Sequence, residues 1–98
     1  MAASFKIKHH HQGQCLYIEL AGQFDGSSAC QLLNDLKRAA HTYSVITVDT
    51  AALHAAEPFG LGVFEKKLGL LKCPETHLGF TGKNAPDFIE RMPVRMRA

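Results

Sequence analysis

The run Ser44-Val45-Ile46-Thr47-Val48-Asp49 is β-branched, nearly all apolar, and lies between two stretches of helical periodicity. β-branched side chains suit a pleated surface. A strand that lacks apolar–polar alternation reads as covered on both faces, as in a parallel sheet. Strands that alternate with helices pair in parallel through right-handed crossovers. This segment therefore points to an α/β fold.

The rest of the chain fits around it. Phe5-Lys6-Ile7-Lys8 and Leu16-Tyr17-Ile18-Glu19-Leu20 alternate apolar and polar residues, the period of half-buried strands. Gln12-Gly13 between them offers the positive φ of a tight turn, so the two strands should form an antiparallel hairpin with Leu16, Ile18 and Leu20 facing the core. Gly22-Gln23-Phe24-Asp25-Gly26 reads as a loop. Ser28 and Gln31 have capping-box spacing ahead of Leu32, Leu33, Leu36, Ala39 and Ala40, which predicts a helix over about 28–41. Lys37 and Arg38 suit its negative end. Pro58 is placed to open a second helix, with Leu61, Phe64, Leu68 and Leu71 on its buried stripe and Pro74 ending it near Lys72. His77-Leu78-Gly79-Phe80-Thr81 is a short fourth strand. Asn84 can cap a last helix that packs Phe88, Ile89 and Met92 inward and closes at Pro93. The expected order is β-β-α-β-α-β-α, a small α/β sandwich with a mixed, mostly parallel sheet, in one domain over residues 1–98.

Composition narrows the function. Hydrophobic residues make up 46% and charged residues 20% of the 98, which excludes a disordered, collagenous or coiled-coil chain. No apolar run approaches a membrane span. MAASFKIKHHH has no apolar h-region, so the expected compartment is the cytoplasm. Residues 1–49 carry four basic and four acidic side chains, residues 50–98 seven and five, and the excess lies at Arg91, Arg95 and Arg97. No patch interleaves base-stacking aromatics with cations, so nucleic acid is not an expected partner. Cys15, Cys30 and Cys73 are odd in number and irregular in spacing, which fits three reduced thiols rather than a disulfide framework.

Enzyme motifs fail on inspection. Ser27 and Ser28 lack a nucleophile elbow. Gly79-Phe80-Thr81-Gly82-Lys83-Asn84 approaches a phosphate loop, but His77 stands where the first Gly belongs and Asn84 where Ser or Thr belongs. Gly60-Leu61-Gly62 begins a dinucleotide fingerprint that Glu65 breaks, and it lies inside a predicted helix. In His9-His10-His11, His9 and His11 share one strand face and His10 takes the other, so a metal site would need a third ligand, with Cys15 nearest in sequence. A polar hairpin end explains the triplet better; no metal and no cofactor is expected. His54 stands beside the loop that precedes the second helix, as a surface residue or a partner contact.

Leu20-Ala21-Gly22-Gln23-Phe24-Asp25 ahead of a helix at Ser28 resembles the L-x-G-x-hydrophobic-D opening of STAS domains, the family of sulphate transporters and anti-sigma-factor antagonists. Ile46-Thr47-Val48-Asp49 with Leu53, followed by Glu57-Pro58-Phe59-Gly60-Leu61-Gly62-Val63, resembles its central signature, a strand ending in Asp and then D-S-S-G-L-G opening a helix. Leu78-Gly79-Phe80-Thr81-Gly82 resembles the next strand and turn. The resemblance covers roughly residues 5–92. In antagonist members a partner kinase, itself the anti-sigma factor, phosphorylates the first Ser of that motif. Here Pro58 occupies that position, Phe59 the next, and Glu57 the place of the Asp, so no phosphorylation is expected at Pro58.

The resemblance implies a non-catalytic, STAS-like protein-binding module that regulates transcription by engaging an anti-sigma factor or kinase-fold regulator. The expected docking surface gathers three loops: Asp25, Ser27 and Ser28; His54, Glu57, Pro58 and Phe59; and Thr81 with Lys83. Strand carboxyl ends are where open α/β sheets bind ligands and partners. A homodimer is compatible with this reading. The alternatives are an accessory subunit of an ABC-type lipid-transport ATPase and a nucleotide-binding domain using Gly82-Lys83.

Overall fold

The computed structural model describes residues 4–71 and 76–93. Elements follow in the expected order: β1 (Lys6–Gln12), β2 (Cys15–Phe24), α1 (Gly26–Ala39), β3 (Val45–Ala56), α2 (Pro58–Leu68), β4 (His77–Thr81) and α3 (Ala85–Ile89). They form one four-stranded sheet of order β1-β2-β3-β4. β1 and β2 are an antiparallel hairpin turning at Gly13, which takes φ +60°. β2–β3 and β3–β4 are parallel. Cys73, Pro74, Lys72, Arg95 and Arg97 lie outside the described residues. No helix among the described residues is long and apolar enough to cross a membrane.

Leu16, Ile18, Leu20 and Phe24 of β2, Ile46, Val48 and Leu53 of β3, and Leu78 and Phe80 of β4 are buried against Leu32, Leu33 and Leu36 of α1, Leu61, Phe64 and Leu68 of α2, and Phe88 of α3. All three helices therefore pack on one face of the sheet. This corrects the reading of β3 as a strand covered twice: Val45 is 36% exposed, and Thr47 and Asp49 stand half-buried on the opposite face. β-branching made the run look apolar throughout, but threonine and valine also serve an open face.

The strands run further than their periodicity suggested. β2 continues through Gly22–Phe24, read above as loop, and β3 continues to Ala56. Their register slips between Glu19 and Ala21 and again between Gly22 and Gln23. Bulges of this kind break the alternation that marks a strand in sequence. β1 likewise takes in the histidine triplet.

The helices differ in detail. α1 begins two residues before Ser28, with Asp25 at its N-cap, and Ser28 is buried in its first turn. α2 opens on Pro58 as expected but ends at Leu68. Ile89 of α3 is exposed, whereas Phe88 and Met92 are buried.

Candidate functional site

The N-termini of α1 and α2 meet beyond the carboxyl ends of β2 and β3. Phe24, the last residue of β2, accepts a hydrogen bond on its carbonyl from the Glu57 amide (3.0 Å), which fixes the two helix starts side by side. Gly60 allows them to touch: a Cβ there would lie 2.8 Å from the carbonyl carbon of Asp25.

Asp25 holds the first turn of α1. Its Oδ1 accepts from the Ser28 amide (2.9 Å), the Ser27 hydroxyl (2.9 Å) and the Ser28 hydroxyl (3.0 Å). The Ser28 amide, followed by the two serine hydroxyls, lowers the Asp25 pKa below its ordinary value. Ser28 also donates to the Gln23 carbonyl (3.0 Å) and is 1% exposed, so its hydroxyl is closed off from a partner; Ser27 is exposed.

Glu57 caps α2 by position but makes no side-chain hydrogen bond to its amides. Its Oε2 accepts instead from Gln23 Nε2 at 2.7 Å. A second carboxylate thus stands near a positive helix end. Pro58 takes the first helical turn, where its missing N–H costs nothing. Phe59 follows with 75% of its surface exposed, its ring beside Gly26, where a Cβ would come within 2.8 Å of it. An aromatic knob flanked by Asp25 and Glu57 can dock on an apolar pocket rimmed by cations. Among the described residues no imidazole hydrogen-bonds to Ser27 or Ser28, whose hydroxyls donate to Asp25 instead.

The third expected loop stands apart. β4 ends at Thr81, in register with Asp49, while β3 runs on for seven residues to Ala56. Two of the seven are bulge residues, since β2 advances only from Glu19 to Phe24 over the same stretch, so at about 3.3 Å per residue the two ends differ in level by roughly 16 Å. Thr81 donates to Asp49 (3.4 Å), and Asn84 Nδ2 donates to the carbonyls of Thr50 (3.1 Å) and Leu53 (3.3 Å). Thr81 and Lys83 therefore border the bulged middle of β3, with exposed His54 the residue after Leu53. The structure brings together Asp25, Ser27, Glu57, Pro58 and Phe59 and leaves Thr81 and Lys83 outside that group. Gln23 and Gly26 belong to the site; both lie in the first expected loop, residues 23–28, though neither was given a role of its own from the sequence. The glycines at 26 and 60 were the available signal, since each marks a close approach.

The histidines scatter. His9 Nε2 lies 2.8 Å from Asp35 of α1, His10 Nε2 lies 2.9 Å from Glu19, and His11 packs on Tyr43 with ring centroids 6.3 Å apart. Among the described residues no three metal-binding side chains converge.

No family model matches the chain, and no curated protein matches it. Solved structures do. An anti-sigma factor antagonist from Mycobacterium paratuberculosis superposes with TM-score 0.65 at 18% identity, over 84% of this chain and 71% of that one. The anti-sigma factor antagonist SpoIIAA in its unphosphorylated form gives 0.63 at 14%, over 92% and 84%. The same unit fits within a longer chain, Mglu, with TM-score 0.66 at 12%, over 78% of this chain but 19% of that one. The chain has the fold of anti-sigma-factor antagonists, as the resemblance to STAS domains implied.

Proposed function

We propose that this chain is a non-catalytic regulatory module that binds another protein through the joined N-termini of α1 and α2. Phe59 carries the reading. It is 75% exposed, held on a rigid helix start, and flanked by Asp25 and Glu57. Exposed aromatics on a fixed frame are the usual anchors of protein interfaces. The likeness to anti-sigma-factor antagonist structures supports an anti-sigma factor or kinase-fold regulator as the partner. Pro58 and Phe59 have no hydroxyl, so engagement through this loop is not gated by phosphate at that place.

The test has two stages. Proteins retained by the chain from native lysate are identified, and the partner is then titrated against wild type and Phe59→Ala. A kinase-fold or anti-sigma partner supports the reading; an ABC-type ATPase supports the transport alternative instead. Phe59→Ala should weaken binding by about 1–2 kcal/mol or more and change stability by no more than about 0.5 kcal/mol, as at a surface position. Unchanged affinity in the folded variant would remove Phe59 from the interface. Micromolar nucleotide binding that is lost on changing Lys83 would reinstate the third alternative.

A further inference from the structure

The sheet face opposite the helices has no cover among the described residues. Its middle is a depression of about 510 Å³ that includes Tyr17, Glu19, Thr47 and Asp49 in its lining. Tyr17 is 44% exposed, and its hydroxyl has no hydrogen-bond partner among the described residues. Beside Thr47 in the same cross-strand row, a Cβ on Gly79 would meet nothing within 4 Å.

Charge on this face is segregated. Lys8, Glu19 and Asp49 form one cross-strand row, with the cation on edge strand β1 and the carboxylates opposite each other on β2 and β3. Like charges in that relation repel. Glu19 is partnered by His10, and Asp49 accepts from the Ala51 amide and the Thr81 hydroxyl. Lys8 is exposed and has no ion pair among the described residues. The row therefore runs from an unpaired cation, through Glu19, to a carboxylate with no cation of its own.

We propose that this face is a homodimer interface, occupied by a second copy of the chain. A two-fold axis running along β2 lays each Lys8 over the Asp49 of the other copy and brings the two Tyr17 rings together at the centre. The same axis sets the two Glu19 carboxylates against each other, each with its own His10 at 2.9 Å, a repulsion that the two Lys8–Asp49 pairs must outweigh. Because the cation lies one strand to one side of β2 and the unpaired carboxylate one strand to the other, the pattern is self-complementary, as an isologous interface requires. It shares no residue with the Phe59 cluster, so a dimer leaves that surface free. With the axis on β2, β4 overhangs and only β1, β2 and β3 overlie strands of the other copy; three strands at about 4.8 Å spacing and roughly 20 Å of shared length give a flat area of roughly 300 Å². A standard interface takes about 800 Å² from each partner. The dimer is therefore weak and reversible.

Sedimentation equilibrium of the whole chain from about 1 μM to about 1 mM, the range of weak association, tests this. Wild type should pass from monomer to dimer. Lys8→Glu alone and Asp49→Lys alone should each weaken the dimer at least about tenfold, because each places like charges across the axis. An equimolar mixture of the two variants should form a heterodimer within about threefold of wild type, since each reversed charge then faces its opposite. A purely internal role for Lys8 or Asp49 would not be rescued by mixing. Tyr17→Ala, which leaves both charges in place, should weaken the dimer as well and serves as the second variant if Asp49→Lys does not fold. A wild type that stays monomeric, a dimer indifferent to Lys8→Glu and Tyr17→Ala, or folded charge variants that fail to pair on mixing would each overturn the proposal.

Discussion

Asp25 collects three donors on one oxygen, and that arrangement decides how α1 starts. Asp25→Ala should lower the urea midpoint, and Asp25→Asn should lower it less, because an amide oxygen can still cap. The charge adds a pH signature. The folded-state pKa lies below the ordinary value of 3.8, so the stabilisation is complete above that value and disappears as pH falls through the folded pKa. The stability difference between wild type and Asp25→Asn should therefore shrink on acidification from neutrality past 3.8, measured by urea denaturation across pH. A difference that stays constant would mean the charge plays no part. Ser28 shows the limit of reading residues singly. Its capping-box spacing with Gln31 is real, but Asp25 takes the N-cap and Ser28 turns its hydroxyl inward.

At the scale of elements, the bulged middle of β3 is the feature that periodicity could not reveal. Thr50 is fully buried there; its hydroxyl donates to the Thr81 carbonyl (2.7 Å) and accepts from the Asn84 amide (3.2 Å). Asn84 then turns its side chain back to the β3 carbonyls instead of capping α3. These bonds fix where β4 hands over to α3. Thr50→Val keeps the shape but leaves the Asn84 amide and the Thr81 carbonyl without that partner, and should cost about 1–3 kcal/mol. Thr50→Ser, which keeps the hydroxyl, should cost less. Equal losses in denaturant titrations of the two variants would show that only the methyl matters.

Across the whole molecule, one aromatic cluster joins elements that are distant in sequence. Phe88 lies 4.9 Å from Phe24, 5.5 Å from Phe64 and 5.0 Å from Phe80, centroid to centroid. α3 has five residues, too short to be stable by itself. Phe88 therefore holds it to the sheet. Phe88→Ala should cost about 3–5 kcal/mol, with the amides of residues 85 and 87–89 losing hydrogen-exchange protection before those of β2 and β3. Uniform loss of protection would mean that α3 unfolds only with the rest. The same one-sided packing that gathers these rings leaves the other face of the sheet open.

The sequence by itself determined the element order, the hairpin, the buried stripes of α1 and α2 and the opening of α2 at Pro58. Each follows from local periods and from residues with restricted backbones. It also carried the STAS-like resemblance and the absence of a hydroxyl at positions 58 and 59. Tertiary structure decided what depends on pairing partners. Phe24 became core because β2 found a bulged extension of β3 to pair with. The start of α2 sits against Asp25 because Gly60 has no Cβ to hold it off. Thr81 and Lys83 fell away from the Phe59 cluster because parallel strands of unequal length end at different levels. Sheet coverage was decided last, since an apolar β-branched strand suits one covered face or two, and only the packing of the helices tells them apart.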